Sequence, residues 1–146
     1  MGRNAFEDRA IEVLKSKGYR ITMPRLQVLR TLRESEKPLN AQAIHERIVG
    51  QGDRIDVVSI YRILAALNEV NLVHHIGVVD AYSACCMEDD HAHESEHFVC
   101  TECGGVTEVT VPEATLRETR KHLEGLGLKP IEIKIEVLGQ CAQCSA

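Results

Sequence analysis

Two Cys-x-x-Cys pairs, Cys100-Thr101-Glu102-Cys103 and Cys141-Ala142-Gln143-Cys144, constrain the fold more than any other feature of the chain. A two-residue spacer lets both thiolates of a pair turn toward one tetrahedral ion, and two such knuckles make a closed four-sulfur zinc site. Gly104 and Gly105 follow the first pair and supply the backbone freedom that a knuckle needs. The 37 residues between Cys103 and Cys141 exceed a compact ribbon, so a subdomain must fill the interval. The pattern predicts a strand over Val106–Val111, then a helix over Pro112–Glu124 with Leu116 and Leu123 inward and Gly125 and Gly127 ending it. A second strand follows, in which Ile131, Ile133, Ile135 and Val137 alternate with Glu132, Lys134 and Glu136. A thioredoxin-like redox pair would precede a helix, and neither pair does.

All six cysteines lie in the rear half of the 146 residues. The first eight residues lack the apolar stretch of a signal peptide, and no apolar run approaches the roughly 20 residues of a membrane span. The expectation is a cytoplasmic protein, no membrane partner, and cysteines used as metal ligands rather than disulfides. The net charge of −5 is unevenly spread. Residues 1–75 carry 12 Lys+Arg against 9 Asp+Glu, whereas residues 76–146 carry 5 against 13. A mildly basic front half joined to an acidic, His- and Cys-rich rear half suggests two jobs.

The front half reads as helices followed by a hairpin. Phe6, Ala10, Ile11 and Leu14 keep helical spacing, and Gly18 stops that helix. Thr22, Asn40 and Asp56 are N-caps for three more, with Pro24 in the first turn of the earliest. Their inner faces are Leu26, Leu29 and Leu32; Ala43, Ile44 and Ile48; and Val57, Ile60, Leu64 and Leu67. The period then changes from helix to strand, and Leu72–Ile76 and Val78–Ser83 flank Gly77 as a β-hairpin. This is the outline of a winged helix-turn-helix, whose last helix enters the major groove of double-stranded DNA. That helix presents Ser59, Tyr61 and Arg62 outward, where Arg62 reaches phosphate or guanine, and Arg20 and Arg25 hold the backbone. The plainer alternative is a small helical bundle with ordinary exposed polar residues.

A less regular cluster surrounds the join: His74, His75, Cys85, Cys86, His91, His93, His97 and Glu108. Its Cys–His mixture suits a second transition-metal site, but spacing allows several quartets. The run Glu88–His97 by itself reads as a solvated acidic loop.

Together these pieces resemble the ferric uptake regulator family of bacterial metal sensors, over essentially the whole chain. The resemblance is carried by Gly18-Tyr19-Arg20-Ile21-Thr22-Met23-Pro24-Arg25 and Val57-Val58-Ser59-Ile60-Tyr61-Arg62-Ile63-Leu64. It continues through His97-Phe98-Val99-Cys100-Thr101-Glu102-Cys103-Gly104 and the terminal Cys141-Ala142-Gln143-Cys144. It implies an α+β protein. A winged helix-turn-helix DNA-binding domain over 1–79 and a hinge near 80–90 precede a small α/β metal-binding dimerisation domain over 80–146 that carries the four-Cys site. It also implies a homodimeric repressor of AT-rich inverted-repeat operators. Within the family the chain is most similar to the zinc uptake regulator branch, which implies His74, Cys85, His93 and Glu108 as a regulatory zinc site. With the structural site, that makes two zinc ions per chain.

Iron and peroxide sensors carry a His-rich segment just before the first Cys, where this chain has Glu94-Ser95-Glu96-His97. A further site of many members uses a His on the last strand, where this chain has Glu132. Cys86, His91, His97 and His122 receive no role. The expected function is a zinc-responsive repressor of zinc uptake and homeostasis genes, with zinc as co-repressor. An iron- or peroxide-responsive regulator is the alternative within the family. Outside it stand a zinc enzyme, which needs an open coordination position, and a purely structural zinc protein.

Overall fold

The structure is a computed structural model that describes residues 5–85 and 96–146. The chain divides into two compact units, Met1–Met87 and Glu88–Ala146.

The first unit opens with α1 (Ala5–Ser16), α2 (Met23–Glu34), α3 (Ala41–Gly50) and α4 (Val57–Glu69). Each start is fixed locally. The Thr22 hydroxyl accepts the Arg25 amide, Asn40 Oδ1 accepts the Ala43 amide at 2.8 Å, and Asp56 Oδ1 accepts the Ser59 amide at 2.8 Å. These bonds satisfy amides that the helix itself leaves orphaned. Gly18, at φ +81, turns the chain out of α1. The apolar stripes of the four helices meet in one core that includes Leu14, Val28, Leu29, Ile44, Ile48, Ile60, Leu64 and Leu67. Removing such side chains from water stabilises the fold by about 1.5–3 kcal/mol each. In α4, Ile63 joins the buried set, whereas Val57 is only half-buried.

Strands β1 (Val73–Ile76) and β2 (Ala81–Ala84) form the antiparallel wing. Its tip is longer than a Gly77 hairpin. Gly77–Val79 make one 3₁₀ turn, and Asp80 takes the left-handed conformation at φ +45 while bonding His75 Nε2 at 2.9 Å. Leu39 exchanges both backbone hydrogen bonds with Tyr82, at 2.9 and 2.8 Å, and so ties the α2–α3 connection to the wing. The β1–β2 ladder holds both strands in the first unit, whose end at Met87 falls within the span 80–90 expected as the hinge.

The second unit contains β3 (Glu96–Cys100), β4 (Val106–Glu108), α5 (Glu113–Gly125) and β5 (Ile135–Gly139) in a sheet of order β4-β3-β5. Glu96 and His97, expected in a solvated loop, start a strand and are buried. The strand expected over Val106–Val111 stops at Glu108. The expected alternating strand from Ile131 pairs only from Ile135 onward, and Ile131 is 97% exposed. Strand β3 pairs antiparallel with β4 and parallel with β5, so α5 lies within the crossover that parallel pairing requires.

Candidate metal centre and nucleic-acid face

The parallel pairing of β3 with β5 builds the four-cysteine site. In its register Cys100 stands beside Gly139, and the Thr101 amide donates to the Gly139 carbonyl at 2.8 Å. Both Cys-x-x-Cys turns therefore leave the same end of the sheet. The four sulfurs of Cys100, Cys103, Cys141 and Cys144 lie within 4.8 Å of one another, with Cys103 and Cys141 at 4.0 Å. A tetrahedral ion with zinc–sulfur bonds of about 2.3 Å separates its sulfurs by about 3.8 Å, so the donor set fits.

Backbone amides complete the cradle. Cys141 N–H donates to Cys100 Sγ at 3.3 Å, and Gly105 N–H donates to Cys103 Sγ at 3.4 Å. Gly104 takes φ +71, and a Cβ at Gly105 would lie 3.3 Å from Cys103 Sγ. Amide donation from Cys103, and then from Cys141, holds the Cys100 thiol down at about 6. Hydrogen bonds shared with the Cys141 and Cys100 sulfurs push Cys144 up to about 12. Four thiolates this close repel one another, and a divalent cation is what lets all four ionise.

The residues expected at the second metal site are distributed as follows. His74 is buried on β1 opposite Ser83. The Cys85 amide donates to the Leu72 carbonyl at 3.0 Å, one rung past the Val73–Ala84 pair. Opposed residues point to the same side of an antiparallel ladder, so Leu72, His74 and Cys85 share one hairpin face. Leu72, Val73 and Ala84 belong to the helical core, whereas Cys85 is buried but is not part of that cluster. On β4, Glu108 stands directly opposite His97 of β3, and their ligand atoms lie within 4.8 Å. His93 lies outside the described residues, as do Cys86 and His91. His122 is exposed on α5. His97, which carries no expected role, stands three residues before Cys100 at the end of an acidic run, where the sequence pattern reads as loop rather than strand.

The outer face of the first unit collects arginines. Arg20, Arg25, Ser59 and Arg62 line one shallow groove of about 650 Å³, together with Arg54, which sequence reading missed. Arg25 is held in place, its Nη1 donating to the Arg20 carbonyl at 2.6 Å and its guanidinium lying 5.3 Å from the Tyr19 ring centre. The Ser59 hydroxyl donates to Asp56 at 2.9 Å. Tyr61 is 56% exposed on α4 but does not line the groove.

The model of the ferric uptake regulator family matches residues 16–138, a stretch that spans most of both units and the first Cys-x-x-Cys pair. The chain belongs to that family. This ferric uptake regulator family member is thus a metal-binding, DNA-binding transcriptional regulator and not an enzyme. It is 30% identical to the ferric uptake regulation protein of Neisseria gonorrhoeae over 139 residues, 93% of each chain. Among solved structures it is similar to holo XcZur, with 25% identity and a TM-score of 0.84 over 97% of this chain and 99% of that one. It also shares the fold of a zinc uptake regulator complexed with zinc and DNA, at 24% identity and a TM-score of 0.88 over 98% and 97% of the two chains. No helix among the described residues of this family member is long and apolar enough to cross a membrane.

Proposed function

We propose that this regulator is a cytoplasmic, homodimeric, zinc-responsive repressor of zinc uptake and homeostasis genes. In this reading each chain binds two zinc ions. Cys100, Cys103, Cys141 and Cys144 hold a structural ion, and His74, Cys85, His93 and Glu108 hold the sensing ion. Cys85 carries the reading: a buried cysteine on the hairpin face of His74 offers a soft thiolate. Thiolate favours zinc over ferrous iron, which prefers nitrogen and oxygen donors in this kind of site. The resemblance to holo XcZur and to the zinc- and DNA-bound regulator points the same way.

Zinc binding at the second set raises affinity for an AT-rich inverted repeat. A coupling of about 1–3 kcal/mol corresponds to roughly 5–150-fold. Homodimer formation is supported by the second unit, where α5 buries no residue and Leu126, Leu128, Ile131, Val137 and Leu138 are exposed. A second copy would cover apolar surface of this kind.

An iron-responsive regulator is the competing reading. The His97–Glu108 juxtaposition, a nitrogen donor facing an oxygen donor, favours it, as does the name of the Neisseria gonorrhoeae relative. The deciding experiment strips the protein with chelator and returns buffered zinc, ferrous iron or manganese while operator binding is followed by gel shift. Recovery at physiological free zinc supports zinc sensing. Recovery with ferrous iron alone rejects it.

A further inference from the structure

Three separate stretches deliver arginines to the groove on the first unit. Arg20 and Arg25 flank the start of α2, Arg62 lies on α4, and Arg54 lies on the loop between α3 and α4. The one acidic residue lining the groove, Asp56, is engaged by the Ser59 amide and hydroxyl. Four guanidinium groups against one carboxylate leave three net positive charges there, in a chain whose total is −5. Arg20, Arg54 and Arg62 form no ion pair with another described residue. That surplus of positive charge attracts an anion entering the groove.

We infer that Arg54 is a further DNA-backbone contact, one that takes a phosphate oxygen at the rim of the groove. The occupant is duplex DNA because the groove adjoins the exposed face of α4, where Tyr61 and Arg62 stand. Arg54 is exposed and precedes the Asp56 cap, so its guanidinium approaches the duplex beside the helix start rather than at base edges. A contact of that kind adds affinity and salt dependence without sequence preference. The inference rests on the reading that this face docks on DNA, and its test separates the two.

The experiment compares the metal-loaded parent with Arg54→Ala, Arg54→Lys and Arg62→Ala on operator and random duplex across 50–200 mM salt. Arg54→Ala should weaken both duplexes by the same factor and reduce the slope of log K against log salt by about 0.9 per bound subunit. Over that fourfold salt range its deficit should shrink about 3.5-fold per subunit. Arg54→Lys should keep the slope, because a point charge is enough at a phosphate. Metal content and the thermal midpoint should stay at the parent value. A normal slope in Arg54→Ala beside a reduced one in Arg62→Ala overturns the assignment of Arg54 alone. Normal slopes in both overturn the docking face itself.

Discussion

Leu72 accepts the Cys85 amide at 3.0 Å, and that rung sets the Cys85 thiol on the hairpin face that also carries His74. Replacing Cys85 with Ser should remove the soft donor while keeping nearly the same size. The variant should remain a folded dimer, retain one tightly held zinc per chain and lose the exchangeable one. Its operator affinity at saturating zinc should fall to the apo level, roughly 5–150-fold below the parent. Cys86→Ser is the control and should behave like the parent. A metal-responsive Cys85→Ser protein would remove Cys85 from the sensing set.

The four-sulfur site should act on folding rather than on response. Cys100→Ser, Cys103→Ser, Cys141→Ser or Cys144→Ser should unfold or monomerise the protein, since structural zinc contributes about 10–16 kcal/mol of apparent binding energy in small domains. Size-exclusion chromatography with metal analysis reads both outcomes. Stable dimers with unchanged zinc content would mean that the cluster is not the structural site.

On α4, Arg62→Ala should weaken operator binding and lower its salt slope by about 0.9 per subunit, with zinc content unchanged. Tyr61→Ala should instead narrow the gap between operator and random duplex, because an exposed ring reads bases rather than phosphates. Affinity measured by fluorescence anisotropy on both duplexes separates the two effects. Parent-like behaviour of both variants would place another surface on the DNA.

The start of α4 should also be sensitive to acid. The Ser59 amide, and then its hydroxyl, hold the Asp56 carboxyl below its ordinary value. A carboxyl lowered in the folded state stabilises the protein fully above its unfolded value. That contribution fades as pH falls through the folded one. Asp56→Asn keeps a capping side chain but no titrating group. Thermal melts of parent and variant should therefore agree more closely near roughly pH 3 than near pH 6. A constant difference across that range would exclude Asp56 as the source.

His97 and Glu108 give the fifth test. His97→Ala should alter the affinity or the metal preference of the sensing site if this facing pair donates to an ion, with the dimer intact. Competition between zinc and ferrous iron for the stripped protein measures it. An unchanged preference and affinity would leave His97 as a packing residue of β3.

What the sequence alone determined was local. Thr22, Asn40 and Asp56 fixed helix starts because a cap needs only its own oxygen and an amide three residues away. The Cys-x-x-Cys spacing named a metal chemistry because two residues suffice to turn both sulfurs toward one ion. What only the tertiary structure decided was pairing over distance. The meeting of Cys100 with Cys141 depends on parallel register between β3 and β5, which no local period encodes. The facing of His97 and Glu108 depends on the β3–β4 ladder, and His97 was concealed in an acidic run that resembled loop. Arg54 joined Arg20, Arg25 and Arg62 only when packing of α2, α3 and α4 brought their loops around one groove. Periodicity shows which face of an element is apolar; the partner that face meets is chosen by the packed core.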